Sequence, residues 1–226
     1  MATTIHPSLR APFRIASALL ALVLAGCVET RFESPPGTEL TACDARWQGL
    51  WVGADGDMDL EDVTAFAVDA DCRFRVLDQP APGGPLKRVE VQVRFAHADG
   101  RDYLVVPDDG LGDLVQVPPP HGVDPRPARS WFLARYVVRG DGGIDLFPVD
   151  SRRVAARVID GTLDGTVDKT ANDLHVYVRG DPARVLAMLR RVPMFTDEPA
   201  LRLVRSPLDE AAFEHARRTP VDGGSP

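Results

Sequence analysis

Carboxylates are the side chains best placed to do chemistry in this chain, and they come in two dense groups. Asp55, Asp57, Asp59, Glu61 and Asp62 fall within one short stretch. Alternating carboxylates of this kind open a calcium loop, because a hard divalent cation takes several oxygen ligands. The pattern then departs, with Leu60 where the turn glycine belongs and Phe66 where a bidentate glutamate belongs. A solvated acidic loop between two strands is the expectation there. Asp108, Asp109 and Asp113 interleave with Gly110 and Gly112. Two carboxyl groups about 5–9 Å apart can hydrolyse a glycosidic bond. Aspartate beside glycine is equally an ordinary turn former. His97, His121, His175 and His215 form no recognised metal-binding spacing with other ligands. The sequence has no Gly-x-Ser-x-Gly elbow, Ser-x-x-Lys pair or phosphate-binding glycine loop. No catalytic residue, metal ligand or cofactor is therefore assigned.

The cysteines say more. Cys27 closes the tetrad Leu24-Ala25-Gly26-Cys27, at the end of an apolar run over residues 15–25. Arg10 and Arg14 precede that run, with no acid between. A basic start and a short apolar core describe a secretory signal peptide. The run, about 11 residues long, falls short of the roughly 20 needed to span a bilayer. The small residues before Cys27 resemble the lipobox of bacterial lipoproteins. That resemblance implies removal of residues 1–26, a diacylglycerol on the Cys27 sulfur and usually a third acyl chain on its amine. Each buried methylene contributes about 0.8 kcal/mol, so one chain anchors marginally and several hold essentially permanently. Val28 stands where an aspartate often marks inner-membrane retention, so the resemblance points to the outer membrane, facing the periplasm. An uncleaved anchor or an ordinary secretory signal is the alternative.

With Cys27 acylated, Cys43 and Cys72 remain as an even pair in an oxidising compartment, which predicts a disulfide. Two buried thiols or two metal ligands are the other possibilities, although neither a CxxC nor a neighbouring histidine accompanies them. Residues 1–26 hold two of the 26 basic side chains and none of the 33 acids. That leaves 24 bases against 33 acids, a formal charge of −9. An acidic body disfavours nucleic acid and anionic headgroups, both of which call for a basic face. Membrane contact is then assigned to the lipid, and an envelope protein is the expected partner.

Positioning falls to a single domain of about 200 residues. Residues 27–42 carry Ser34-Pro35-Pro36-Gly37 and read as a lipidated start and an extended, flexible tether. From Trp47 short runs of valine, leucine and aromatics predict strands at 48–53, 63–70, 73–77, 88–96, 103–107, 114–117, 131–138 and 144–149. Val89, Val91, Val93 and Phe95 alternate with polar residues, the pattern of a half-buried strand. Asp150 or Ser151 caps a helix to Ile159, a strand spans 174–179, and Asp181-Pro182 opens a helix through Arg191. A short strand at 201–204 and a helix from Ser206-Pro207 to Arg218 complete a domain over 43–218. The 219–226 tail is expected to be disordered. The prolines over 118–127 favour an extended segment, either a partner-binding loop or a stiff connection between strands.

These elements predict an α+β fold: a mainly antiparallel meander, curved or partly closed into a barrel, with C-terminal helices. The stretch 170–203 resembles the C-terminal end of small bacterial envelope lipoproteins with a β-rich domain, a likeness that brings no activity with it. Gly49-Leu50-Trp51 resembles the Gly-x-Trp start of lipocalins. The leading expectation is a non-catalytic, lipid-anchored binding or assembly module. The alternatives are a periplasmic hydrolase using the acidic turns and a lipocalin-like carrier of a small apolar ligand.

Overall fold

The computed structural model describes residues 28–54, 65–79, 84–114 and 117–218. Cys27, the 1–26 segment, the acidic group from Asp55 to Asp62 and the 219–226 tail lie outside the described residues. Twelve strands form one mostly antiparallel sheet: β1 (Val28–Phe32), β2 (Gly49–Gly53), β3 (Ala65–Val68), β4 (Phe74–Asp78), β5 (Lys87–Val91), β6 (Arg94–Ala98), β7 (Arg101–Pro107), β8 (Trp131–Val138), β9 (Ile144–Pro148), β10 (Gly165–Lys169), β11 (Leu174–Val178) and β12 (Leu201–Arg205). The α-helices are α1 (Ser151–Ile159), α2 (Pro182–Arg191) and α3 (Glu210–Arg218). The α+β class predicted above is the class observed. Among the described residues no helix is long and apolar enough to cross a membrane.

Local chemistry explains where the elements start and stop. Asp150 and Asp181 accept from the backbone N–H of Arg153 and Arg184, at 3.0 and 2.8 Å, satisfying donors that α1 and α2 leave free. Pro182 occupies the first turn of α2, where a missing N–H costs nothing. Asp99 and Gly100 both take positive φ, 53° and 69°, between β6 and β7. That pair of angles matches the right-handed twist of a two-residue hairpin.

The ladder runs β5-β4-β3-β2-β12-β9-β8-β7-β6, and β1 joins it at β8 through the pair Phe32–Trp131. β12 brings the C-terminal part of the chain back between β9 and β2. β1 in turn pairs in parallel with β11, whose far edge carries β10. The first apolar cluster gathers Trp47, Trp51, Phe66, Phe74, Phe95, Leu104, Phe132 and Tyr136. A second lies under α1 and α2, where Val154, Val185 and Leu189 meet Phe32, Val105, Val176 and Val178. A third seats Phe213 of α3 on Leu50, Val52, Ala65, Ala67 and Leu77.

Three expectations need correction. The 27–42 stretch does not begin as a tether, because β1 occupies Val28–Phe32 with Thr30, Arg31 and Phe32 buried. The single strand expected over 88–96 divides into β5 and β6 at Gln92-Val93. There the Gln92 N–H leaves the ladder and donates to the Gly110 carbonyl at 2.6 Å. The strand expected at 114–117 is not formed at its start, since Leu114 ends a 3₁₀ turn over Asp108–Leu114.

A disulfide links Cys43 to Cys72, 29 positions apart in sequence, with Cα atoms 5.2 Å apart. It ties the entry to β2 onto the turn between β3 and β4. Closing a loop of this length stabilises a fold by about 3–4 kcal/mol in the chain-entropy picture. The Cys43→Ser, Cys72→Ser double variant should therefore unfold at a clearly lower urea concentration than the oxidised protein. Equal midpoints would show that the bridge adds nothing.

Candidate functional site

Two polar constellations lie on the sheet. The first is built around Asp44, which caps the 3₁₀ turn Ala45–Trp47 by accepting from the Arg46 backbone N–H at 3.0 Å. The turn drives Trp47 into the first cluster, where its ring sits 5.4 to 6.2 Å from those of Tyr136, Phe74, Phe95 and Trp51. Register sets the other members. His97 stands opposite Asp102 across β6 and β7, and Asp102 stands opposite Tyr136 across β7 and β8. The Tyr136 hydroxyl donates to Asp44 Oδ2 at 2.5 Å, and Arg46 Nη2 donates to the same oxygen at 2.6 Å. Arg46 Nη1 reaches Asp102 Oδ2 at 2.8 Å, and His97 Nδ1 lies 2.7 Å from Asp102 Oδ1.

Electrostatics follow from that geometry. Burial pushes the Asp44 carboxyl up, but the hydrogen bonds from Arg46 and Tyr136 and the Arg46 charge outweigh it and leave the group below its ordinary value. Asp102 behaves alike: burial raises it, while Arg46 and His97 together bring it below the usual range. Burial, then the Asp44 carboxylate, push the Tyr136 phenol far above its ordinary value. An aspartate orienting a histidine is half of a nucleophile-activating device. Among the described residues no serine, threonine or cysteine hydrogen-bonds to His97. The bonds from Arg46 and Tyr136 clamp the turn before β2 against strands β7 and β8.

The second constellation covers one face of the β10-β11-β1 ribbon. Glu29, His175 and Asp168 form one cross-strand row, and Arg31, Tyr177 and Thr166 the next. Arg31 is 1% exposed. Its Nη2 pairs with Glu29 at 2.9 Å, its Nη1 donates to the Pro118 carbonyl at 2.6 Å, and its guanidinium lies 5.2 Å from the Phe132 ring centre. The His121 ring stacks on His175 at 3.9 Å, and His175 Nδ1 lies 3.0 Å from Glu29. The proline-rich segment is thus pinned to the ribbon as a connection from the 3₁₀ turn to β8. Burial and the nearby Glu33 carboxylate push the Tyr177 phenol up to about 12.

The residues singled out by sequence fare differently. Cys43 and Cys72 are brought together as predicted. Asp108 accepts from the Ser130 N–H and hydroxyl at 2.9 and 2.6 Å, and Asp109 pairs with Arg129 at 2.5 Å. These two carboxylates serve different loop partners instead of facing one another across a cleft. Among the described residues no group of three or more His, Cys, Asp or Glu is placed to hold a metal ion. The clamp went unseen in the sequence because its members lie on four separate elements. Only the capping pattern at Asp44 offered a local signal. Compared with protein-family models, curated proteins and solved structures, the chain matches none of them.

Acid should loosen this clamp. Asp44 and Asp102 have folded-state values below those of the unfolded chain, near 3.9. Their contribution is fully present above about pH 4 and is lost as pH falls through the lowered folded values. Tyr136→Phe removes a donor to Asp44 and should cost about 1–3 kcal/mol at neutral pH. In thermal melts from pH 7 to pH 2 the variant should lose less stability than the parent. Parallel curves would show that the Asp44 carboxylate is not held by Tyr136.

Proposed function

We propose that this chain is a lipid-anchored protein of the bacterial envelope, held through acylated Cys27 in the outer membrane, with its globular part acting in the periplasm as a non-catalytic binding or assembly module. The observation that carries this reading is the disulfide between Cys43 and Cys72, since disulfides persist in oxidising compartments. Val28, the residue that follows Cys27, already pairs with Leu174 of β11, which places the domain directly behind the proposed anchor.

The finer architecture belongs to this reading. Strands β2 to β5 and β6 to β9 are consecutive neighbours, β12 returns to β2, and the two-residue Gln92-Val93 link carries the chain from one end of the ladder to the other. We take this as a curved meander wrapped around the first apolar cluster. A carrier needs an open apolar cavity at that place. Trp47, Trp51, Phe66, Phe74, Phe95 and Tyr136 occupy it, none more than 3% exposed. Binding is accordingly assigned to the outer surface, and the carrier takes second place. The hydrolase reading is weaker, because Asp108 and Asp109 are each engaged by loop partners.

Anchoring is tested by growing cells with radiolabelled palmitate. The parent protein should carry label and fractionate with outer membranes, whereas Cys27→Ala should lose both. Label or tight membrane association surviving in Cys27→Ala would overturn the reading. In-cell crosslinking of the anchored parent should then capture an envelope protein.

A further inference from the structure

We infer that the tip of the β10–β11 hairpin, residues 170–173, rests in the headgroup layer of the leaflet that holds the Cys27 acyl chains. The inference rests on the anchored reading above and names the surface through which the domain meets its membrane.

Val28 is joined directly to Cys27, and consecutive Cα atoms are about 3.8 Å apart. Val28 is itself paired with Leu174, in a strand matched to β11 at all five of its residues and buried from Thr30 onward, so the domain has no slack in which to swing away. β11 runs parallel to β1 with Leu174 beside Val28, and Lys169 of β10 stands beside Leu174. Because the two strands share a direction, the residues before Leu174 extend past the row on the side from which Cys27 enters. Neighbouring strands lie about 4.8 Å apart. The hairpin tip therefore comes within a few ångströms of the acylated residue. The headgroup region adds about 5–8 Å on each side of the hydrocarbon core, which is as deep as the tip is distant.

The chemistry of the tip suits that layer. Thr170, Ala171, Asn172 and Asp173 close a tight turn, with the Thr170 N–H bonded to the Asp173 carbonyl at 3.0 Å and the Thr170 hydroxyl to the Asp173 carboxylate at 2.9 Å. All four are small or polar, with the Asp173 charge next to that of Lys169. Such a tip has neither the apolar bulk to enter the hydrocarbon nor the net charge to seek anionic lipid. Contact is imposed by the anchor, so it is independent of headgroup charge.

The test uses the full lipidated chain in vesicles of zwitterionic phosphatidylcholine carrying a spin-labelled headgroup quencher. With Cys27 acylated and Cys43 bridged to Cys72, an engineered thiol is the only one to react with an environment-sensitive maleimide dye. Asn172→Cys places the dye at the tip. Thr162→Cys places it before β10, beyond the opposite end of the ribbon. Quenching at position 172 should exceed that at position 162 several-fold, and adding anionic lipid should leave the ratio unchanged. Inserting ten Gly/Ser residues between Cys27 and Val28, a coil of about 18 Å, should abolish the difference while the protein still floats with the vesicles. Equal quenching at the two positions in floating protein overturns this placement and leaves the anchor standing. Protein that does not float overturns the anchor, and the placement with it.

Discussion

The short bond from the Tyr136 hydroxyl to Asp44 is the contact on which the arrangement of the sheet most depends. It fixes the turn that delivers Trp47 to the middle of the largest apolar cluster, where four aromatic rings surround it. Asp44 follows Cys43, so the same point is secured covalently to the turn between β3 and β4. Arg46 extends the hold to Asp102, and hence to the β6–β7 hairpin. Trp51 is held from the other side: its indole N–H donates to the Trp47 carbonyl, and the Arg205 guanidinium lies over its ring at 4.6 Å. A buried carboxylate is tolerated here because Tyr136 and Arg46 donate to it and the Arg46 charge opposes its own.

Much of the fold was legible in local pattern, because local physics decides it. The strand at Trp131–Val138 and the helices capped by Asp150 and Asp181 are found where alternation, capping acids and Pro182 placed them. The misreadings share a cause. β1 carries Glu29 and Arg31 on one face, which looks solvated in isolation. In the folded chain the proline-rich connection covers that face, and the Pro118 carbonyl and Glu29 take the two terminal nitrogens of the buried guanidinium. β10 is half-buried and short, with Asp168 and Lys169 in place of an apolar stripe. Neither strand can be recognised without its partner β11. The break at Gln92-Val93 is likewise invisible, since the residues on both sides continue one alternating pattern while their pairing partners change from β4 to β7.

The candidate site was legible only at one residue type, cysteine. The even pair Cys43 and Cys72 carried its meaning in the sequence and is bridged in the fold. The polar constellations carry no such meaning. His97 and Asp102 meet across a hairpin, His121 and His175 meet through a long connection, and each pairing depends on register. Sequence spacing holds no trace of it. Histidine and aspartate in such settings do structural work, closing a turn in one case and seating a loop in the other.

The return of β12 between β9 and β2 bears on how the chain reaches its native state. Arg205 donates to the Gln48 carbonyl across 157 residues of sequence, and no earlier segment fills that gap in the ladder. A chain emerging N-terminus first holds β2 with one edge open until nearly all of the polypeptide is out. Such distant pairing must meet its loop-closure entropy before any contact repays it, which makes assembly slow. Late completion leaves β2 with an unpaired edge in need of protection until the last strand arrives.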